Sequence, residues 1–123
     1  MLSAEESEEL ALQLQSLIAS SAAIIVEGKK DQAALERLGI DSSRIVTLSK
    51  KPLFEIAEEV AAGYKTAAIL TDLDSEGKKL YGKLNTLLQR LGVKVDNRLR
   101  NFLFKNTKLR QIEGIDNFVI QPE

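Results

Sequence analysis

The chain has 123 residues, a net charge of −1 and neither cysteine nor histidine, which excludes disulfides, zinc sites built from thiolate or imidazole, and nucleophile systems that use Cys or a Ser-His-Asp triad. Its length suits a single domain, and no apolar run approaches the roughly 18 residues that a membrane-spanning helix needs. The first nine residues contain four glutamates and no basic residue, unlike a signal peptide, so the sequence predicts a cytoplasmic protein with no membrane partner.

The spacing of apolar residues alternates between helical and strand periods along the chain. The amino-terminal segment has leucines at helical spacing and begins with a capping box of Ser3 and Glu6. Residues 22–26 are wholly apolar, as in a strand buried on both faces of a parallel sheet. In chain order the predicted elements are a helix over 5–20, a strand over 22–26, a helix over 31–38, a strand over 44–48, a helix over 52–63, a strand over 66–71, a helix over 75–91, a strand over 93–95, a helix over 97–108 and a looser tail through Ile112, Ile115 and Phe118.

This alternation of strands and helices predicts the fold class. Parallel strands need crossover connections over the sheet face, so we predict a doubly wound, Rossmann-like α/β domain with a mostly parallel, four-stranded sheet flanked by helices. Residues 1–20 are expected to form a helix packed on this domain, and residues 21–123 the domain itself, with a C-terminal helical and basic extension. Ligands in such folds bind just beyond the carboxyl ends of the strands.

Carboxylates follow two of the predicted strands. Glu27 ends the first strand, whereas Asp72 and Asp74 end the third, and residues i and i+2 of an extended segment point to the same side. If these strands are neighbours, three carboxylates converge at one sheet edge, where like charges are costly unless a cation neutralises them. Oxygen ligands alone select a hard ion, so we predict a site for Mg²⁺ or Mn²⁺. Taken alone, Asp74 or Ser75 is more typical of a helix cap.

Glycines and basic residues lie beside these acids. Gly28 and Gly77 keep side chains away, which would let a phosphate approach backbone N–H groups at a helix N-terminus. Five basic residues and no acidic one lie in residues 97–110, which predicts phosphate binding or, on charge alone, a solvated helix face. Aromatic residues are scarce, so the phenylalanines are predicted to be core residues rather than base-stacking ones. The residues predicted to bind phosphate or nucleic acid are Gly28, Lys29, Lys30, Gly77, Lys78, Arg98 and Arg100.

Two segments of the chain together resemble the paired signatures of the Toprim domain. They are residues 26–31, Val-Glu-Gly-Lys-Lys-Asp, and residues 71–77, Thr-Asp-Leu-Asp-Ser-Glu-Gly, with an α/β unit between them. That domain occurs in topoisomerases of types IA and II, bacterial-type primases, old-family nucleases, recombination-repair proteins and the nuclease that matures 5S ribosomal RNA. The resemblance covers about residues 20–100, and the chain is similar in size to small stand-alone Toprim proteins, of which the archaeal group fits best.

The resemblance implies a role for each matching residue. Glu27 would act as general acid or base and as a metal ligand, while Asp72 and Asp74 would hold one or two Mg²⁺ ions. Asp31 matches the last residue of the first signature and would support the site, either by positioning basic neighbours or by capping its helix. Two-metal sites suit phosphodiester chemistry on DNA or RNA, because the ions activate water and stabilise the leaving oxygen.

The chain lacks parts that the larger Toprim proteins carry. A topoisomerase needs a nucleophilic tyrosine on a separate domain, and a primase needs template-binding regions that this short chain does not have. We therefore predict a small nuclease or a catalytic subunit that works with a protein partner, and the alternative is a non-catalytic, metal-dependent module that binds DNA or RNA. Haloacid-dehalogenase phosphatases and response-regulator receivers also place acids at strand ends, but the order and spacing of their motifs differ from those found here.

Overall fold

The computed structural model describes residues 2–118. Within them the helices are α1 (Ala4–Ala19), α2 (Lys29–Arg37), α3 (Leu53–Gly63), α4 (Ser75–Arg90) and α5 (Arg98–Asn106), the strands are β1 (Ala23–Val26), β2 (Ile45–Thr47), β3 (Thr66–Ile69) and β4 (Lys94–Val95), and 3₁₀ helices cover Ser42–Arg44 and Ile112–Phe118. No helix in this part of the chain is long and apolar enough to cross a membrane.

The four strands form one parallel sheet in the order β2-β1-β3-β4. Strand β1 is central, and its Ile24 lies opposite Ile45 of β2 on one side and Ala68 of β3 on the other. The chain moves outward from β1 to β2 and then returns to β3 on the other side, so the strand order reverses between β1 and β3. The predicted fold class is confirmed, and in folds of this class ligands bind at the carboxyl ends of the two strands between which the order reverses.

Helices cover both faces of the sheet because successive strand residues point to opposite sides. Ile24 and Val26 pack into a cluster with apolar residues of α1, α2, α5 and the C-terminal 3₁₀ helix. Ala23 and Ile25 pack on the other face, against α3 and α4. All four residues of β1 are fully buried, and burying each isoleucine contributes about 1.5–3 kcal/mol. This two-sided core makes β1 the rigid support of whatever follows Val26.

Helix α1 is anchored at both ends. The predicted capping box is present, with Glu6 N–H donating to Ser3 Oγ and Ser3 N–H donating to Glu6 Oε1, both at 3.0 Å. At the other end Arg44 donates to the carbonyl oxygens of Leu17 (2.8 Å) and Ile18 (2.9 Å). A cation there complements the negative end of the helix dipole. Residues 4–19 are therefore an integral layer of the fold.

Element boundaries differ from the predictions where side chains intervene. Helix α2 begins at Lys29 rather than at residue 31. The Asp31 carboxylate accepts the N–H of Gly28 and so caps the helix two residues earlier than predicted. Strand β3 ends at Ile69 rather than at residue 71. Leu70 N–H still donates to Ile25 O at 2.7 Å. The next N–H that faces β1, that of Asp72, donates to the Glu27 side chain instead of a backbone carbonyl, so the strand pairing ends.

The C-terminal tail differs more. It was predicted to be loose, but Ile112–Phe118 forms a 3₁₀ helix in which Ile112 and Ile115 are fully buried. Residues i and i+3 lie on one face of a 3₁₀ helix, which explains why this pair can pack together in the core. The predicted tail and domain extend to residue 123, and residues 119–123 lie outside the described part of the chain.

Candidate metal centre

The predicted acidic residues of β1 and β3 meet at one edge of the sheet. Glu27 directly follows β1, and its Oε2 accepts a hydrogen bond of 2.7 Å from the backbone N–H of Asp72, which follows β3. The sequence predicted that these carboxylates converge if the first and third strands are neighbours. Strands β1 and β3 do pair with each other, in parallel. Glu27 and Asp72 are thus joined across the topological switch point.

Asp72 is held by a segment that the sequence analysis did not connect with the site. Its Oδ1 accepts the N–H of Ile112 at 2.9 Å, and the N–H of the next residue, Leu73, donates to Arg110 O at 2.7 Å. Residues 110–112, at the start of the C-terminal 3₁₀ helix, therefore hold the loop after β3 in place through two backbone hydrogen-bonding groups. No local pattern around residues 110–112 signals this contact, since it joins residues about forty positions apart.

Asp74 caps helix α4, as its alternative interpretation suggested. Its Oδ1 accepts the N–H of Gly77 at 2.8 Å, and the residue is exposed. The three carboxylates share a pattern, because Glu27, Asp72 and Asp74 each have one oxygen bound to a backbone N–H. Within residues 2–118 the second oxygen of each accepts no hydrogen bond. Those oxygens are the donors that a hard cation prefers.

The side chains as they stand are not arranged as a finished metal site. Among the described residues there is no group of three or more His, Cys, Asp or Glu side chains placed to hold an ion together. A cation bound by all three carboxylates would therefore need at least one of them to change its position. The donor set, made only of carboxylate oxygens, nevertheless fits Mg²⁺ or Mn²⁺ in its chemistry.

Asp31 lies in the first turn of α2 and is 7% exposed. Its Oδ2 accepts the Gly28 N–H at 3.0 Å, so it caps the helix, which is one of the two supporting roles that the Toprim resemblance implied. Burial raises the pKa of Asp31, and the charges of Asp72 and Glu113 raise it further, while the backbone N–H groups of Gly28 and Glu113 oppose the rise. Glu113 is thus a further acidic neighbour that the sequence did not identify.

The acids destabilise one another electrostatically. Burial raises the pKa of Glu27, and the charges of Asp72, Asp74 and Asp31 raise it further. Burial also raises the pKa of Asp72, with smaller contributions from Asp74 and Glu113, while Arg100 opposes the rise. Since folding raises these pKa values, the folded state binds more protons than the unfolded chain, so stability falls as the pH rises from the ordinary values of 3.8 for Asp and 4.5 for Glu to the raised ones. A bound cation would reverse this penalty.

Arg100 has a different position from the one predicted. It was expected to face phosphate, but its side chain is buried, with 6% exposure. Its guanidinium donates to the carbonyl oxygens of Thr71 and, at 2.9 Å, of Asp72, and lies 4.7 Å from the centre of the Tyr81 ring. Arg100 therefore holds the backbone that carries Asp72, and its positive charge acts on Asp72 and Glu27.

The two glycines of the site differ in what surrounds them. A Cβ on Gly77 would collide with the carbonyl carbon and oxygen of Asp72 and lie 2.8 Å from its Cα, whereas nothing lies within 4 Å of a Cβ on Gly28. Gly77 is thus required for close backbone packing, and Thr71 Oγ1 donates to its carbonyl at 2.7 Å. Both glycine N–H groups already donate to carboxylates, those of Asp31 and Asp74. Only Gly28 leaves open space for a ligand.

The other predicted phosphate-binding residues divide into two groups. Lys29, Lys30 and Lys78 are exposed in the first turns of α2 and α4, beside the acids. Arg98 forms a two-pronged ion pair with Asp96 at 2.9 and 3.0 Å, and lines a groove with residues 19–22 and Thr66, at the amino ends of β1 and β3. The carboxylates follow the opposite ends of those strands, so Arg98 is not part of the acidic edge.

The prediction that the phenylalanines are core residues is wrong for two of them. Phe54 is 54% exposed and Phe104 is 47% exposed. Phe104 lies on α5 one turn after the buried Arg100, so its ring is at the edge of the buried side of the helix, where it borders a groove that Arg100 also lines. Its position near Lys78, whose Nζ is 4.4 Å from the ring centre, brings an aromatic group close to the acidic edge.

The chain is similar in sequence and in structure to known proteins. The chain is 43% identical over 95 residues to the UPF0292 protein of Pyrococcus abyssi, which covers 77% of this chain and 70% of that protein. It is 33% identical over 117 residues to the UPF0292 protein of Methanosarcina acetivorans, covering 94% of this chain and 81% of that protein. A solved structure of a protein from Aquifex aeolicus superposes with a TM-score of 0.70 at 31% identity and covers 89% of this chain and 94% of that one. No protein-family model matches the chain.

Proposed function

The chain belongs to the UPF0292 protein family, and we propose that it is a stand-alone Toprim-like domain that carries out magnesium-dependent phosphodiester chemistry on nucleic acid, as a nuclease or as the catalytic subunit of a larger complex. The observation that carries the proposal is the contact between Glu27 Oε2 and the Asp72 N–H at 2.7 Å. It joins the two segments on which the Toprim resemblance rests, at the sheet edge where ligands of such folds bind. A cytoplasmic location remains part of the prediction.

Each residue of the acidic edge has a part in this proposal. Asp72 and Asp74 would hold Mg²⁺ with Glu27, using the carboxylate oxygens that backbone N–H groups leave over. When bound, the ion would supply charge stabilisation and an activated water. Glu27 would also exchange a proton with the reacting oxygen as general acid or base. Arg100 keeps the Asp72 backbone in place through its two carbonyl contacts.

We expect Mg²⁺ or Mn²⁺ to raise the melting temperature of the protein at pH 7.5, and the gain to vanish in Asp72→Asn. The ion relieves repulsion among the carboxylates, and any ligand that binds only the folded state stabilises it. Asparagine keeps an oxygen for the Ile112 N–H but removes the charge. Thermal melts with 5 mM EDTA or with about 100 Kd of ion should differ by about 2.7 kcal/mol of stability in the wild type.

Two controls sharpen this measurement. The gain should shrink as the pH falls through the raised pKa values of Glu27 and Asp72, because protonation removes the charges that hold the ion. Asp96→Asn, which changes an acid paired with Arg98 away from the acidic edge, should keep the gain. Equal melting temperatures with and without the ion at pH 7.5 would contradict the metal site.

The function itself is tested by incubating the protein with end-labelled single-stranded and duplex DNA and RNA in Mg²⁺, Mn²⁺ or EDTA. Cleavage that requires a divalent ion supports the nuclease. Binding that needs a divalent ion, without cleavage under any condition, supports the alternative, a non-catalytic, metal-dependent module that binds nucleic acid. No binding and no cleavage would contradict both.

A further inference from the structure

A groove beside the acidic edge, which we call the Phe104 groove, is not used by the chemistry proposed above. It has a volume of about 470 Å³ and is lined by Leu73, Lys78, Arg100, Asn101, Phe104 and Lys105. One wall is the half-exposed ring of Phe104. Burial of the exposed part of this ring would be favourable, which makes a ring kept in an open groove a candidate contact for a ligand.

Cations surround this ring. Lys78 Nζ lies 4.4 Å and Arg110 Cζ 5.6 Å from the ring centre, although they come from α4 and from the segment after α5. Lys105 adds a third positive charge to the rim. Within residues 2–118 none of these three side chains forms a salt bridge. The groove therefore combines a planar apolar surface with unneutralised positive charge.

The groove adjoins the chain segment that carries the carboxylates. Leu73 lines it and stands between Asp72 and Asp74 in the chain. Arg110, whose side chain approaches Phe104, also accepts the Leu73 N–H through its backbone carbonyl. A ligand seated on Phe104 would thus have its neighbouring group at the acidic edge.

We propose that the Phe104 groove seats one nucleotide of a single-stranded nucleic acid, with the base stacked on Phe104 and the adjoining phosphate on Lys78, Lys105 and Arg110. This rests on the proposed function for the identity of the polymer. A flat, apolar base with an anionic phosphate matches the chemistry of both parts of the groove, and aromatic rings bind bases of any sequence by stacking. An acidic peptide would satisfy the cations but would leave the ring without a planar partner.

The test measures binding of fluorescent oligo(dT) and oligo(U) by anisotropy, in EDTA, so that cleavage plays no part. Phe104→Ala is expected to weaken affinity by at least about tenfold, and Phe104→Trp to retain it, because stacking on an aromatic ring contributes a factor of this size per base. Phe54→Ala is the matched control, since Phe54 is equally exposed but lies on α3, and it should bind as the wild type does. Lys78→Ala should reduce the slope of log affinity against log salt by about one.

Three outcomes would overturn the inference. They are wild-type affinity in Phe104→Ala, an equal loss in Phe54→Ala, or displacement of the oligonucleotide by poly-glutamate with the same dependence on Phe104. Failure of the proposed function is distinguishable from these. If metal-dependent cleavage did not change with Phe104, the nucleotide site in the groove would be wrong and the nuclease would stand. If binding depended on Phe104 but no cleavage occurred, the nucleotide site would stand and the protein would be a binding module.

Discussion

Replacing Gly77 by alanine is expected to destabilise the protein by about 3 kcal/mol or more, although glycine-to-alanine changes in helices usually stabilise. The added Cβ would overlap the carbonyl group of Asp72. That carbonyl cannot simply move aside, because Arg100 donates to it and the Asp72 N–H donates to Glu27. Either α4 shifts away from the loop or the loop loses its hydrogen bonds, and both changes disrupt the acidic edge.

Gly82→Ala provides the matched control for this prediction. Gly82 lies in the same helix, and nothing would lie within 4 Å of its Cβ, so alanine there should stabilise by about 0.5–1 kcal/mol. Thermal or urea unfolding of the two variants compares them directly, and Gly77→Ala should melt about 10 °C or more below the wild type. If Gly77→Ala melted with or above Gly82→Ala, the close approach of α4 to Asp72 would be wrong.

The sequence predicted the layout of the fold because local patterns carry it. The wholly apolar run of β1 and the helical spacing of leucines in α1 and α4 reflect burial that any sheet of this class requires. The same patterns predict where the strands end, and therefore that Glu27, Asp72 and Asp74 lie just beyond those ends. Their convergence depended on one further condition, the pairing of β1 with β3, which strand alternation favours without fixing it.

What the sequence did not reveal depends on contacts between distant segments. Arg100 is five residues from Lys105 on the same helix, and nothing in the local charge pattern separates a buried guanidinium from an exposed ammonium. The difference arises because Arg100 faces the carbonyl oxygens of Thr71 and Asp72, whereas Lys105 faces the open groove. The role of Gly77 was also hidden from the sequence. The local sequence suggests that Gly77 leaves room for a phosphate, but in the folded chain the backbone of Asp72 occupies that space.

Glu27→Gln is expected to lower the rate of metal-dependent cleavage by at least about 10²-fold, the usual contribution of a positioned general acid or base. Glutamine has nearly the same shape and keeps an oxygen to accept the Asp72 N–H, but it can neither exchange the proton nor contribute a negative charge to the ion. Because the pKa of Glu27 is raised mainly by burial, removing the charge should leave stability in EDTA equal to or above that of the wild type. A loss of activity therefore could not be assigned to unfolding.

The matched control is Glu113→Gln, which removes a negative charge that acts on Asp72 and Asp31 but lies in the C-terminal 3₁₀ helix. Its cleavage rate should stay within about threefold of the wild type, because a nearby charge without a role in proton transfer changes the rate only through weak, screened electrostatics. In the wild type the affinity for Mg²⁺ should rise with pH, because protons compete with the ion for Glu27 and Asp72, whose pKa values burial raises in the ion-free protein. Equal losses in the two variants would show that the site needs only negative charge, and full activity in Glu27→Gln would remove Glu27 from the chemistry.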